Sequence, residues 1–161
     1  MFMQQDLFFR QQELAQSYQL GLLENEYVIN PKKFLANFGL LLVVALLAPL
    51  IVVNISPRAT NSINLIIFSL IFFIAVGGGV MLSTYRYYKH LHVYVYTNGL
   101  LYLNGNKSKV VHWQQMKRAY SNKGYLNIQV KNEMPISIPT YVSRYGELRD
   151  RVKQEIANAR P

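Results

Sequence analysis

The residues of this chain that could most readily do chemistry are three histidines in the stretch "KHLHVYVYTNGLLYLNGNKSKVVHW", residues 89–113. His90 and His92 are two residues apart, so on a β-strand they point to the same face, and His112 belongs to a later strand. Three converging imidazole rings could bind zinc. However, no Asp or Glu lies between residues 27 and 132 to orient a ring. The pattern therefore favours histidines on an ordinary sheet surface, and we predict no metal site.

The other reactive side chains do not indicate catalysis either. The chain has no cysteine, which excludes disulfides, thiol catalysis and thiolate metal ligands. Residues 84–161 contain four carboxylates, and three of them lie on the charged face of the helix predicted at the end of the chain. No arrangement of Ser, His and Asp is suggested. We predict a protein that is not an enzyme, with no catalytic residue and no cofactor; a zinc-dependent enzyme is the least favoured alternative.

Two apolar blocks lie before the histidine-rich stretch, and neither contains Lys, Arg, Asp, Glu or His. They cover residues 34–53 and 63–82, and a helix of that length is ~30 Å long, the thickness of the hydrocarbon core of a bilayer. They predict a transmembrane helical hairpin over residues 34–83, with a turn at 54–62. The turn holds only Arg58, whereas the flanks hold Lys32, Lys33, Arg86 and Lys89. The positive-inside rule then predicts a multi-pass protein of the cytoplasmic (inner) membrane with both termini cytoplasmic.

Small side chains within these blocks predict where helices pack closely. Ala75 and Gly79 form a small-xxx-small pair, which lets helix backbones approach each other. The facing surface is expected on the first helix or on a second copy of the chain, so a homo-oligomer is one candidate assembly. The predicted helix-packing residues are Ala45, Ala48, Ala75, Gly78 and Gly79.

Residues 1–33 form an N-terminal segment. The first twenty residues contain no Gly or Pro, and their apolar side chains recur at helical spacing before Gly21, which predicts an amphipathic helix. We expect it to lie on the bilayer surface or on the C-terminal domain. The sequence "EYVIN" at residues 26–30 predicts one short strand before Pro31.

Residues 84–161 predict a cytoplasmic domain that begins with a β-hairpin. Its two candidate registers differ in which apolar residues share a face. A two-residue loop at Asn98-Gly99 groups the valines with Leu100 and Tyr102. We favour a three-residue loop at 97–99, with Gly99 left-handed, because it gives one clean apolar face: Val93, Val95, Leu101 and Leu103. The opposite face is then a candidate binding platform formed by His92, Tyr94, Tyr96 and Tyr102.

The rest of the domain continues with short strands and a final helix. Leu126, Ile128 and Val130 alternate inward after a turn at residues 122–124, and a last short strand holds Ile136 and Ile138. An amphipathic helix follows, with apolar residues at steps of three or four: Tyr145, Leu148, Val152 and Ile156. The predicted fold class is an α+β membrane protein, in which a two-helix transmembrane hairpin precedes a small antiparallel β-sheet or partial barrel capped by a C-terminal helix.

This order of elements resembles bacterial membrane proteins that have two transmembrane helices and a cytoplasmic pleckstrin-homology-like domain of unknown function. The resemblance covers about residues 34–158 and depends on the strands "YTNGLLYL" and "KVVHWQQM", with matching positions Thr97, Gly99, Leu100, Trp113 and Met116. Such domains usually have seven strands, whereas residues 85–140 leave room for about six, so "EYVIN" is a candidate for the seventh. The resemblance implies a scaffold or sensor role, with no conserved chemistry.

The charge distribution favours an acidic partner. Residues 83–161 carry 13 basic side chains against four acidic ones. We predict a non-enzymatic, membrane-anchored module that holds this basic domain against anionic lipid headgroups or an acidic protein partner. The alternative is a structural subunit that assembles through the small-residue faces of the hairpin. No nucleic-acid-binding module is recognisable, and we expect no nucleic acid partner. The predicted contact residues lie in or beside strand turns: Lys107, Lys109, Lys117, Arg118 and Lys123.

Overall fold

The computed structural model describes residues 2–39, 43, 47 and 63–159. The chain divides into two compact units. One is formed by residues 1–30 together with residues 90–161, and the other by residues 31–89. The N-terminal segment therefore belongs to the same unit as the sheets that follow much later in the chain.

The first sheet of the larger unit has four antiparallel strands in the order β1-β2-β3-β4. Helix α1 (Phe2–Ser17) precedes strand β1 (Leu23–Val28), and the sheet continues after residue 90 with three consecutive strands: β2 (Leu91–Tyr96), β3 (Gly99–Asn104) and β4 (Lys107–His112). Strand β1 pairs with β2, with Glu26 opposite Tyr94 and Tyr27 opposite Val93. The strand expected at residues 26–30 thus lies slightly earlier and completes the edge of this sheet.

The β2–β3 hairpin differs from the favoured register. Tyr96 pairs with Gly99, so the loop is the two residues Thr97 and Asn98, and Gly99 does not have a positive φ. The valines share a face with Leu100 and Tyr102, which is the grouping of the alternative register. The preference for one clean apolar face was wrong because both faces of these strands are buried: one faces the core and the other is covered by α1.

A second sheet has three antiparallel strands in the order β5-β6-β7. A single 3-10 turn (Trp113–Gln115) leads into β5 (Met116–Asn122), which is followed by β6 (Tyr125–Val130) and β7 (Ile136–Pro139). The β5–β6 turn consists of Lys123 and Gly124, both with positive φ, as a type I′ turn requires. The inward residues of β6 and β7 are buried as their alternation predicts: Leu126, Ile128, Val130, Ile136 and Ile138.

Helix α4 (Tyr145–Asn158) ends the larger unit and packs on β5. Its buried residues are Leu148, Val152 and Ile156, as the predicted apolar stripe requires, whereas Tyr145, the first residue of that stripe, is half-buried. Arg144 precedes the helix with a left-handed φ of 48°. Arg151 of α4 forms an ion pair with Glu24 of β1 at 2.7 Å, so this helix also contacts the first sheet.

The smaller unit contains helix α2, described over residues 31–39, and helix α3 (Ile63–Tyr88). The Phe34 ring lies 4.7 Å from that of Phe38 and 5.4 Å from that of Tyr85, measured between ring centroids. Many apolar side chains of α3 are exposed, among them Phe68, Ile71 and Phe72.

Among the residues that the structure describes, no helix combines the length and apolar character needed to cross a membrane. This finding contradicts the predicted transmembrane hairpin at 34–53 and 63–82, and with it the membrane fold class and the multi-pass inner-membrane location with both termini cytoplasmic. A run of apolar residues can cross a bilayer only if it forms one continuous apolar helix of sufficient length, so the number of apolar residues alone does not predict a transmembrane helix. Of residues 34–53 only 34–39, 43 and 47 are described, and the predicted turn at 54–62 lies outside the described residues. The described fold is α+β, with two antiparallel sheets and four helices.

Candidate binding surface

The structure separates the three histidines. His92 pairs with Leu103 near one end of the first sheet, whereas His112 pairs with Gly99 at the other end. His90 precedes β2. Within the described part of the chain, no three His, Cys, Asp or Glu side chains are grouped closely enough to hold a metal ion.

His92 instead belongs to a small polar cluster with two neighbours. Its Nδ1 lies 2.8 Å from Glu26 Oε1 and 3.4 Å from the hydroxyl of Tyr94, and the His92 and Tyr94 rings are stacked with centroids 5.9 Å apart. Burial, and then the negative charge of Glu26, raise the pKa of Tyr94 above its ordinary value. Sequence reasoning missed Glu26 because it precedes His92 by 66 residues and becomes its neighbour only through β1–β2 pairing. The hydrogen bond between His92 and Glu26 therefore links β2 to β1.

The predicted tyrosine platform is divided between the two faces of the sheet. Tyr94 and Tyr96 share a face with His92, but Tyr102 lies on the opposite face because it pairs with Val93. Tyr94 and Tyr96 are only 4% and 2% exposed. They belong to a buried cluster with Leu20, Leu101 and Leu103, against which α1 packs the side chains of Leu7, Leu14 and Ala15.

Polar contacts fix α1 over this face. Gln11 is buried and its Nε2 donates a hydrogen bond of 2.7 Å to the Tyr96 hydroxyl. Arg10 donates to the carbonyl oxygens of Gly105 and Asn106 in the β3–β4 turn, at 3.1 and 2.7 Å. The tyrosines therefore form part of the core between α1 and the first sheet rather than an accessible surface.

The five predicted basic contact residues do not all have the same environment. Lys107 begins β4, and Lys109 forms an ion pair of 3.1 Å with Glu133 and donates to the carbonyl oxygen of Met134. The charge of Lys109 is thus compensated. The other three lie close together in the chain: Lys117 and Arg118 are in β5, and Lys123 is in the turn that follows this strand.

The strand pairings of the second sheet bring a set of polar side chains onto its outer face. Arg118 is opposite Gln129, Tyr120 is opposite Asn127, and Asn127 is opposite Ser137. We call the surface formed by these five residues the β5–β7 outer face. Sequence reasoning selected only Arg118 from it, although the inward alternation of Leu126 and Ile128 already implied that Asn127 and Gln129 face outward.

Contacts within the β5–β7 outer face orient its arginine. Arg118 Nε donates a hydrogen bond of 2.8 Å to Gln129 Oε1, and its guanidinium lies 5.2 Å above the centroid of the Tyr120 ring. Ser137 Oγ donates to Asn127 Oδ1 at 2.7 Å. Tyr120 remains 38% exposed. The result is an exposed, hydrogen-bonded polar surface around one positioned guanidinium.

The motif residues of the family resemblance have structural roles around the β2–β3 turn. Trp113 Nε1 donates to the carbonyl oxygen of Thr97 at 3.0 Å. A Cβ on Gly99 would lie 2.4 Å from the carbonyl oxygen of Val111, so only glycine fits there. The turn also receives the chain after α1, because Asn98 N donates to the carbonyl oxygen of Leu20 at 3.0 Å.

A polar groove of about 470 Å³ lies beside this turn, and sequence reasoning did not find it. It is bounded by the end of α1, the β2–β3 turn, residues 112–114 and the last turn of α4. Its walls include Tyr18, Asn98, His112, Trp113, Glu155 and Asn158. The Glu155 carboxylate forms an ion pair of 3.0 Å with Arg151 Nη1, and the same arginine also pairs with Glu24.

The predicted helix-packing residues fall in two groups. Ala45 and Ala48 lie outside the described residues, whereas Ala75, Gly78 and Gly79 lie on α3. A Cβ added at Gly78 or Gly79 would meet nothing within 4 Å. Gly78 lines an apolar groove of about 480 Å³ within the smaller unit, together with Phe34, Leu35, Met81, Leu82 and Tyr85.

These features define an α+β protein in which two small antiparallel sheets and a C-terminal helix present a polar, basic surface. Over residues 1–158 the chain matches the model of a family described as a family of unknown function (DUF6585), and it belongs to that family. No curated protein matches the chain, and no solved structure matches it.

Proposed function

We propose that the larger unit is a non-enzymatic binding module, which recognises an acidic segment of a protein partner through the β5–β7 outer face and the lysines beside it. The observation that carries this proposal is the geometry of Arg118. Gln129 and Tyr120 hold its guanidinium on an exposed strand. A guanidinium is planar and has five donors in a rigid fork; Arg118 uses its Nε–H on Gln129, and its two Nη groups can still bind a carboxylate in a bidentate manner.

The surrounding charge supports an acidic partner. Residues 90–132 contain no Asp or Glu, and Glu133, the next carboxylate along the chain, is engaged with Lys109. A surface of one sign attracts partners of the opposite sign and speeds their association. The basic residues of this stretch are Lys107, Lys109, Lys117, Arg118, Lys123 and Lys131.

The number and order of strands support the same class of function. Among the described residues, four strands in one sheet, three in the next and a closing helix agree in number and order with the pleckstrin-homology-like domains that the sequence resembles, and this agreement supports the proposal. That resemblance favours a scaffold or sensor role and gives no support to an enzyme.

Fluorescence anisotropy of an eight-residue peptide with alternating Glu and Thr tests this proposal. We expect the 161-residue chain to bind it, and a variant with Lys117, Arg118 and Lys123 all changed to Gln to bind about 3- to 150-fold more weakly, at roughly 0.2–1 kcal/mol for each exposed charge. Lys89→Gln removes a charge from the smaller unit and should leave the affinity unchanged. Raising the salt concentration should weaken binding of the unmodified chain.

The proposal is overturned if the peptide does not bind. Vesicles then identify the alternative partner: if the chain binds vesicles of phosphatidylserine and not vesicles of phosphatidylcholine, the acidic surface that it recognises is a lipid surface and not a protein.

The exposed apolar side chains of α3 favour assembly as a second candidate function. Apolar patches of this kind mark interaction sites, and Gly78 and Gly79 leave open space on the same helix. A second copy of the chain would then cover α3. Changing Gly78 or Gly79 to Leu should reduce the assembled size measured by light scattering, and an unchanged size would count against assembly through this helix.

A further inference from the structure

Strand β5 is an edge strand, and most of its side chains are exposed although α4 packs on it. Among the described residues it pairs with β6 alone, on one side. Its first residue, Met116, is buried and Ala119 is half-buried, but the other five residues are exposed. An edge strand with its backbone open is a template for pairing with another extended segment.

The hairpin register shows which backbone groups of β5 face outward. The two-residue type I′ turn makes Asn122 and Tyr125 a hydrogen-bonded pair, and hydrogen-bonded and non-hydrogen-bonded pairs then alternate along the ladder. Ser121 and Ala119 occupy the non-hydrogen-bonded positions. Their N–H and C=O groups therefore point away from β6, toward the open edge.

Helix α4 lies beside this edge. The Tyr145 hydroxyl is 3.1 Å from Ser121 Oγ, which places that side of α4 next to β5. Arg149 and Lys153 follow Tyr145 at intervals of four residues and so lie on the same side of the helix. Gly146 is exposed, and an added Cβ there would meet nothing within 4 Å.

The charges around the open edge are mostly positive. Lys117 and Arg118 lie on the strand, and Arg149 and Lys153 lie on the helix side. Asp150 pairs with Arg149 at 2.8 Å and compensates that one charge. An occupant of this edge would therefore gain from carboxylates.

The geometry points to a specific binding mode: an acidic segment of a partner protein, in extended conformation, adds as a fourth strand to the edge of β5 beside α4. This inference rests on the proposed function and specifies how the acidic segment is held. Backbone groups of Ala119 and Ser121 pair with the segment, and alternate side chains of the segment place carboxylates on the face of the sheet that carries Arg118.

The other sheet edges are less suited to this role. Strand β7 ends in Pro139, and proline cannot donate to a ladder. Directly after β1, Ile29 already pairs with Val142 in an isolated antiparallel bridge, so the chain at this edge has a neighbour. Along β4, the charge of Lys109 is already compensated by Glu133.

Backbone methylation of the probe peptide tests the inference. The peptide is the eight-residue alternating Glu and Thr sequence, prepared unmodified, with N-methyl groups on every Glu, and with N-methyl groups on every Thr. Only one of the two alternating sets can face β5, so we expect one methylated peptide to lose at least tenfold in affinity for the 161-residue chain and the other to bind like the unmodified peptide. Amide exchange at Ala119 and Ser121 should slow when the unmodified peptide is bound.

The outcomes separate this inference from the proposed function. If both methylated peptides bind like the parent, or if both lose affinity equally, addition to the β5 edge is wrong, although binding of acidic segments stands. If the unmodified peptide does not bind, the proposed function itself fails.

A pair of proline variants gives a second measurement. Ala119→Pro removes one outward N–H from β5, and Ser108→Pro removes an outward N–H from a non-hydrogen-bonded position of edge strand β4. Only Ala119→Pro should weaken binding, by tenfold or more, with the far-ultraviolet circular dichroism of both variants confirming the fold. Equal affinities in the two folded variants would overturn the inference, and if either variant unfolds, the methylated peptides decide.

Discussion

The contact between α1 and the first sheet gives a sharp prediction about stability. Gln11 is 6% exposed and Tyr96 is 2% exposed, and the amide nitrogen of Gln11 donates to the Tyr96 hydroxyl at 2.7 Å. Tyr96→Phe removes the acceptor and leaves a buried amide group without it. Gln11→Met replaces the glutamine by a residue that also has a long side chain and forms helices well, but it leaves the Tyr96 hydroxyl without its donor.

The expected magnitudes follow from burial. A buried polar group that loses its partner costs about 1–3 kcal/mol, so each single variant should lower the free energy of unfolding by that amount. The double variant replaces both groups by apolar ones of similar shape, which is nearly neutral. The two substitutions should therefore couple, and the double variant should be more stable than either single variant by ~1–3 kcal/mol.

Urea unfolding of the wild type and the three variants, followed by circular dichroism, measures these free energies. A double variant that loses the sum of the two single losses would refute the reasoning, since additivity is expected for sites that do not touch. Two single variants as stable as the wild type would show that α1 does not cover Tyr96 in solution.

Three further predictions concern other parts of the larger unit. Because the pKa of Tyr94 is raised in the folded protein, the contribution of this group to stability is complete below about pH 10, where the tyrosine begins to ionise in the unfolded chain, and is lost as the pH rises toward the folded value. Tyr94→Phe should therefore make the fall in unfolding free energy above pH 10 shallower, by up to ~1.4 kcal/mol per pH unit. An unchanged slope would contradict this prediction. Gly99→Ala should destabilise the folded protein by about 1–3 kcal/mol because the added Cβ would overlap the carbonyl oxygen of Val111. Gly146→Ala in α4, where the added Cβ meets nothing, should instead stabilise it by ~0.5–1 kcal/mol. Thermal melts compare the two variants, and equal effects would show that Gly99 does not lie close to Val111. Elemental analysis should find no stoichiometric zinc, and zinc that disappears on His92→Ala would restore the metal hypothesis.

Local patterns in the sequence predict much of the second sheet and of α4. The alternation of Leu126 and Ile128 reports one buried face, and the spacing of Leu148 and Val152 reports one buried stripe. These elements are buried on one side only, so the period of their apolar residues is sufficient to orient them. The same alternation places Asn127 and Gln129 outward, in the candidate surface.

The apolar blocks show where counting residues fails. Their length and composition predicted a transmembrane hairpin, whereas no described helix is long and apolar enough to cross a membrane. Composition sets how much apolar surface must be covered, but it does not specify the helix boundaries or what covers the surface.

The remaining features depend on contacts between residues far apart in the chain. Leu7 and Leu14 of α1 cover a sheet face whose strands begin more than 70 residues later in the chain. Because both faces of β2 and β3 are therefore buried, the contrast between an apolar and a polar face, on which the predicted β2–β3 register depended, does not exist in the structure. Glu26 reaches His92 only because β1 pairs with β2. The open edge of β5 likewise depends on strand order, because only the assembled sheets show which strands lack a second neighbour. Periodicity therefore determines which sides of a strand or helix are apolar, whereas long-range packing decides what covers each side and which backbone groups remain open to a partner.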